Sequence, residues 1–240
     1  MKLTFLGTRG YVETSTRRHR RHSSLLVSYR HAAVMVDCGD DWLGRVGPIR
    51  PDAIVITHAH PDHAGGLADG APCPVYATDA AWDDLADAPI DERHNVEPRR
   101  PVDICGVTFE GFSEEHSTRC PAVSYRIAAG RVTIHYAPDV AYIHERSEAL
   151  RGCRLYVGDG ATLARPMIRK QGDHLIGHAP VRTQLTWCRK EAVPRAIFTH
   201  CGSEIVGGDE RTIGARLRRW ARERDVEASL AHDGMELVLR

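Results

Sequence analysis

The chain has 240 residues, 42% hydrophobic and 27% charged, a mix that builds a globular core and excludes a disordered polyelectrolyte. Lys+Arg and Asp+Glu both number 32, so net charge gives no general pull toward nucleic acid or anionic membranes, and any phosphate recognition has to be local. No apolar run reaches the ~18 residues of a membrane span, and none at the N-terminus reads as a signal peptide.

In chain order, Leu3–Gly7 reads as a short strand entering a loop, and Ser24–Tyr29 and Ala33–Asp37 as a hairpin turning at Arg30-His31. Ala53–Ile56 is a continuous apolar run, the pattern of a strand covered on both faces. Further strands are expected at Val123–Ile127, Val132–Tyr136, Arg154–Val157 and Ala196–Thr199, with a closing hairpin of Glu227–Ala231 and Met235–Leu239. Helices are expected near Ala80–Ala86, from Pro180 to Lys190 and from Asp209 to Glu223. In the last of these, Ile213, Leu217 and Trp220 recur at helical spacing behind an Asp209 N-cap. Without repeats or linkers, one domain over residues 1–240 with a layered α/β architecture is the economical reading. Seven scattered cysteines with no CxxC pair fit free thiols in a reducing cytoplasm better than a disulfide framework.

The chemistry concentrates in Thr57-His58-Ala59-His60-Pro61-Asp62-His63-Ala64-Gly65-Gly66. Neutral imidazole nitrogen together with carboxylate oxygen is the donor set that Zn²⁺ and similar divalent ions select. His58 and His60, two apart on an extended segment, point the same way and can grip one ion, while Asp62 and His63 face a neighbouring position. Gly65-Gly66 would let the backbone turn sharply into a following helix.

This HxHxDH pattern after an apolar strand resembles the signature of the metallo-β-lactamase superfamily, and other segments match it in order. Phe5-Leu6-Gly7-Thr8 is similar to the family's first strand and loop, and Val36-Asp37-Cys38-Gly39-Asp40 to the strand preceding the metal motif. The resemblance implies a four-layer αββα sandwich with metals at one rim. It also implies His116 as the third histidine of the first ion, Asp139 in Ala137-Pro138-Asp139 as the bridging carboxylate, and His200 as the last ligand. His58, His60, His116 and Asp139 would then hold one ion, and Asp62, His63, Asp139 and His200 the other. Zn²⁺ is the default, with Mn²⁺ or Fe compatible with the same ligands.

Within the superfamily the chain looks most like the phosphodiesterase branch, which includes transfer-RNA 3′-processing endonucleases and a cyclic ribose phosphodiesterase. Gly177-His178 before a helix, Phe198-Thr199-His200 and the terminal Ala231-His232-Asp233-Gly234 carry that likeness. It implies His178 as proton donor to the leaving group, oriented by Asp159, with Asp62 orienting a water shared by two ions roughly 3.5–4 Å apart. Gly158-Asp159-Gly160 departs from the His-Glu-Ala of the transfer-RNA enzymes, and the long Gly/Pro-rich basic arm of the bacterial ones is missing. A small or nucleotide-like phosphodiester therefore fits better than whole transfer RNA. The same metals can activate water against a carbonyl, so esters, thioesters and lactones are the alternative substrates, and a non-hydrolytic iron- or metal-binding role is the third reading. Two further expectations concern the loop after the first strand. Arg17, Arg18, Arg20 and Arg21 could clamp phosphate, and His19, His22 and Cys201 could hold a structural metal.

Overall fold

The computed structural model describes residues 1–240. A first sheet begins with β1 (Lys2–Gly7), β2 (Ser24–Tyr29), β3 (Ala32–Val36), β4 (Ala53–Val55), β5 (Val75–Ala77) and β6 (Arg93–Asn95). A second sheet holds β7 (Val102–Ile104), β8 (Val107–Glu115), β9 (Ala122–Ala129), β10 (Val132–Tyr136), β11 (Tyr142–Ile143) and β12 (Leu155–Asp159). The chain then makes a separate hairpin, β13 (Met167–Gln171) and β14 (His174–His178), and returns to the second sheet through β15 (Arg195–Thr199) and β16 (Glu227–Leu230). The last strand, β17 (Met235–Val238), crosses to the first sheet, whose spatial order is β17-β1-β2-β3-β4-β5-β6. The helices are α1 (Pro61–Ala64), α2 (Asp79–Asp84), α3 (Arg146–Leu150), α4 (Val181–Lys190), α5 (Ser203–Val206) and α6 (Glu210–Arg222).

Three apolar layers make the sandwich. Leu3, Phe5, Val27 and Val55 of the first sheet pack against Phe109, Tyr125, Ile134 and Val157 of the second. Met35, Ile54 and Val75 face outward under Trp42, Leu67 and Trp82, and Tyr156 and Phe198 face outward under Leu185, Leu217 and Trp220. Each fully buried side chain of this kind contributes ~1.5–3 kcal/mol relative to exposure. The outcome is the αββα order expected from the sequence. Asp209 caps α6 as expected, accepting from Thr212 N at 2.8 Å.

The closing hairpin does not form. β16 adds in parallel to β15, whereas β17 pairs antiparallel with β1, so the two segments lie in different sheets. The turn between them is held open by Asp233, which accepts from Thr8 Oγ1 (2.7 Å), Arg20 N (2.9 Å) and Arg21 N (3.1 Å). No helix is long and apolar enough to cross a membrane.

The topology fixes where side chains can meet. β10, β12, β15 and β16 run parallel, and β8, antiparallel to β9 as β9 is to β10, runs the same way. Residues just past β8, β10, β12 and β15 therefore gather at one rim, as ligand sites do at the carboxyl ends of parallel strands.

Candidate metal centre

Each predicted ligand sits at such a strand end or in the loop after β4. His60 is the N-cap of α1, Pro61 starts that helix, and Asp62 and His63 are buried on it. Gly65 and Gly66 follow as a 3-10 turn whose purpose is contact, not reversal: a Cβ on Gly65 would lie 1.7 Å from Asp40 Oδ1, and one on Gly66 2.7 Å from Cys38 Sγ. His116 directly follows β8, Asp139 lies beyond β10, and His200 follows β15 with φ of 50°. Asp37, at the end of β3, is likewise left-handed with φ of 63°, the kind of local strain that functional sites retain.

The ligand-type atoms of His58, His60, His116 and Asp139 lie within 4.8 Å of one another, and so do those of Asp62, His63, Asp139 and His200. Asp139 joins the two groups. Its Oδ2 is 3.8 Å from His58 Nε2 and 3.6 Å from both His63 Nε2 and His200 Nε2, while its Oδ1 is 3.0 Å from His116 Nδ1.

Protonation decides whether this donor set fits a cation. Asp37 only accepts, so Thr57 Oγ1 donates to its Oδ1 (2.9 Å) and must accept from His58 Nδ1 (3.1 Å). That leaves His58 Nε2 bare, 3.0 Å from His60 Nδ1, which in turn is 3.2 Å from His116 Nε2. Burial, with the neighbouring histidines, holds the His58 pKa well below its usual value, so the ring is neutral. Asp37 Oδ2 also takes the Nδ1 proton of His63 at 2.9 Å, and the His63 Nε2 opposite finds no hydrogen-bond partner. Three imidazole nitrogens converge on one point, and a further nitrogen faces two carboxylates. The residues fit divalent cations, and Asp37 holds the His63 ring directly and the His58 ring through Thr57.

His178 is the last residue of β14, just ahead of the Pro180 N-cap of α4 as expected, and brings its ring beside the cluster. Its Nδ1 lies 2.9 Å from Asp159 Oδ2 and 2.8 Å from Asp139 Oδ1. Burial disfavours charge on this ring, but the two carboxylates outweigh it and push the pKa up to about 11. Nδ1 is thereby engaged, and Nε2 is the nitrogen left for a ligand in the cleft. Asp159 also accepts from Val140 N (3.0 Å) and Ala161 N (2.7 Å). Burial works against its charged form, yet the adjacent His178 keeps its pKa low.

Gln184 of α4 was not singled out from the sequence. It is fully buried, accepts from Tyr156 OH and Asp159 N at 2.9 Å each, and donates to Asp159 O and Ala179 O at 2.7 Å each. Its pairing with Tyr156 and Asp159 explains the glycine between them, since a Cβ on Gly158 would lie 2.4 Å from Gln184 Oε1. The cluster opens into a cavity of about 650 Å³, a size that takes a nucleotide-scale ligand.

Two expectations fail. Arg17, Arg18, Arg20 and Arg21 line neither cavity at the cluster. Arg18 pairs with Glu210 at 3.1 Å, and Arg21 lies over the Trp42 ring at 4.6 Å. His19, His22 and Cys201 form no group of ligand atoms: His19 Nδ1 bonds Thr8 Oγ1 at 2.8 Å, and His22 Nδ1 faces Asp41 at 3.3 Å.

The fold and this rim define a metallo-β-lactamase architecture. Residues 33–201 match the model of the beta-lactamase superfamily domain, and the chain belongs to that family. It is 30% identical over 175 residues to a Ribonuclease Z of Methanopyrus kandleri, covering 64% of this chain and 61% of that protein. The chain thus spans about three fifths of that relative's length. Among solved structures, the metallo-beta-lactamase fold protein YhfI from Bacillus subtilis superimposes with a TM-score of 0.77 at 18% identity, over 98% of both chains. A diphosphatase from the PhnP family does so with a TM-score of 0.75 at 23% identity, over 98% of this chain and 96% of that one. The structural likenesses agree with the fold, and the Ribonuclease Z likeness with the branch, that the sequence resembles.

Proposed function

We propose that the chain is a dinuclear metal-dependent phosphodiesterase acting on a small or nucleotide-like phosphodiester. The observation that carries this reading is the pair of His/Asp groups sharing Asp139 with the His178–Asp159 pair directly beside them. A second support is the Ribonuclease Z likeness.

His58, His60, His116 and Asp139 would hold one ion and Asp62, His63, Asp139 and His200 the other. Bound there, the ions, with Zn²⁺ the default, would supply Lewis acidity and lower the pKa of a bound water. The residues do the rest. Asp37 accepts from His63 Nδ1, and Thr57 accepts from His58 Nδ1, so that the Nε2 atoms of both rings face the centre. Asp62 carries a carboxylate whose pKa burial would raise but the His63 and His200 charges depress, so it is ionised and able to orient an attacking water. His178, with Nδ1 tied to carboxylate, presents Nε2–H to the departing oxygen, a proton transfer ordinarily worth ~10²–10⁴-fold. Seven free cysteines support a reducing, cytoplasmic setting, and the two sheets sharing one core support a single domain.

The test is metal analysis of the purified protein with a substrate panel of bis-p-nitrophenyl phosphate, a lactone and a thioester. The reading expects close to two ions per chain and turnover of the phosphodiester. Turnover confined to the carbonyl substrates would replace it with the esterase alternative, and iron without hydrolysis would favour the non-hydrolytic one.

A further inference from the structure

His60, His116, Arg165, Met167 and His178 each belong to the walls of two cavities, so the cavity over the metal cluster continues into a second one of about 680 Å³. The two halves differ in charge. The first contains Asp62, Asp139 and Glu204, whereas the second is lined by Arg119, Arg165 and Arg169 with no Asp or Glu. Glu115, which ends β8, faces elsewhere and is taken up by His144 (3.0 Å) and His174 (3.4 Å). None of the three guanidiniums is neutralised by an acid, and what sets them apart is that they line one groove that contains no carboxylate. In a chain with zero net charge, three unmatched guanidiniums in one groove are a local concentration of positive charge.

Their placement is built in. The β13–β14 hairpin docks on the end of β8, where Gly177 N donates to His116 O at 2.8 Å and Leu175 N to Glu115 Oε2 at 3.1 Å. Side chains alternate along β13, so Arg169 shares a face with Met167 and Gln171, while Lys170 points the other way and takes no part in the wall. The hairpin thus holds Arg169 at a set distance from His178, Arg165 lies two residues before its first strand, and Arg119, three residues past His116, lines the same groove.

We infer that this groove is an anion subsite for a second phosphate of the substrate, adjoining the phosphodiester that sits at the metal cluster. The inference rests on the phosphodiesterase reading and deepens it. Guanidiniums grip phosphate oxygens through paired charge-assisted hydrogen bonds, and three of them match the charge of a diphosphate or of consecutive backbone phosphates. The second phosphate has two sources of identical chemistry: a pyrophosphate-linked nucleotide, or the next linkage of an oligonucleotide.

Calorimetric titration of the purified, metal-containing protein distinguishes them with two hydrolysis-resistant probes, a methylene-bridged nucleoside diphosphate and a phosphorothioate trinucleotide. Arg119→Gln and Arg169→Gln should each weaken binding on the order of tenfold, the loss of one charge-assisted contact, and the double change should flatten the salt dependence of Kd. The side chains are exposed, so folding is not at stake, and Lys170→Gln on the opposite face serves as the control. Arginine dependence with either probe supports the subsite, and the probe with the larger loss identifies the source. Unchanged affinity for both probes in the double variant, or an equal loss in Lys170→Gln, overturns it. Turnover of bis-p-nitrophenyl phosphate, which has no second phosphate, is measured in parallel. Its absence alongside arginine-dependent binding would defeat the phosphodiesterase reading alone, and its presence without such binding would defeat the subsite alone.

Discussion

Gln184 and Asp159 exchange two hydrogen bonds across a helix–strand contact: Asp159 N donates to Gln184 Oε1 at 2.9 Å, and Gln184 Nε2 donates to Asp159 O at 2.7 Å. The same amide bonds Ala179 O, next to His178, so one buried side chain ties together the backbones of both members of the His178–Asp159 pair.

Gln184→Met keeps the volume and removes this tie. It leaves buried backbone groups unpaired, at ~1–3 kcal/mol each, so a lower urea midpoint is expected. A positioning role predicts more than lost stability. In the folded variant at low temperature, kcat should fall more on phosphodiesters with alkyl leaving groups than on those releasing p-nitrophenolate. An equal fall on both would reduce Gln184 to a packing residue.

The proton-donor assignment makes its own demand. His178→Ala should keep its metal content and lose roughly 10²–10⁴-fold in rate where the leaving alkoxide needs protonation. The loss should be far smaller with p-nitrophenolate, which departs unaided. Asp159→Asn should show the same leaving-group pattern more weakly, because Asp139 remains within 2.8 Å of the ring. A His178→Ala protein that is equally slow on both substrate types would remove the residue from the acid role.

Metal content tests the ligand sets directly. His60→Ala should deplete one ion of the two, and Asp139→Ala should lower both occupancies, since Asp139 faces nitrogens from both groups. Plasma emission analysis of dialysed protein reads this without reference to activity. Full occupancy in Asp139→Ala would refute the bridging position. Glu148, an exposed acid paired with Arg99, supplies the comparison.

His135 gives a pH prediction away from the candidate metal centre. Its ring is fully buried, stacked on Tyr156 at 6.1 Å and edge-on to Phe112 at 6.0 Å, with neither nitrogen hydrogen-bonded. Burial, with Arg126 nearby, lowers its pKa from 6.5 to about 3. The unfolded chain therefore binds this proton first as pH falls. The stability associated with neutral His135 is intact above about pH 6.5 and is lost toward about pH 3. The slope is at most ~1.4 kcal/mol per pH unit. His135→Phe should flatten the stability profile between pH 6 and 4 by about that much, measured from urea midpoints. Parallel profiles for the two proteins would contradict the assignment.

What the sequence made legible was local or periodic. The His58–His63 run announces itself because four ligand types sit side by side, and Asp209 because a cap and its helix are contiguous. The β13–β14 hairpin was missed although Gly172-Asp173 is a two-residue turn signal, with Gly172 at φ of 61°. Its first strand, Met167–Gln171, is mostly exposed, carries Arg169 and Lys170, and shows no apolar face. β8 was missed because both its faces are covered: Phe109 and Phe112 point to opposite sides and Glu114 is buried, which erases the alternation. Gln184 reads as one polar residue beside Leu185 and Cys188, and nothing local shows that its partners lie 25 positions upstream. The arginines of residues 17–21 drew attention by clustering in sequence, whereas Arg119, Arg165 and Arg169 cluster only once the hairpin is folded.

The pairing of β17 with β1 has a bearing on how the chain is made. Met1 N donates to Leu239 O, 238 positions away, and Leu3 lies opposite Leu237. During synthesis β1 finds β2 soon after both emerge, but its other edge stays bare until residues 235–238 have emerged. Over that interval it exposes unsatisfied amides and carbonyls beside Leu3 and Phe5, a template for pairing with a neighbouring nascent chain. Premature release just short of residue 235 would leave the rim elements in place, yet make that open edge permanent. The expected failure of such a product is self-association through β1, so the four residues of β17 are what closes that edge.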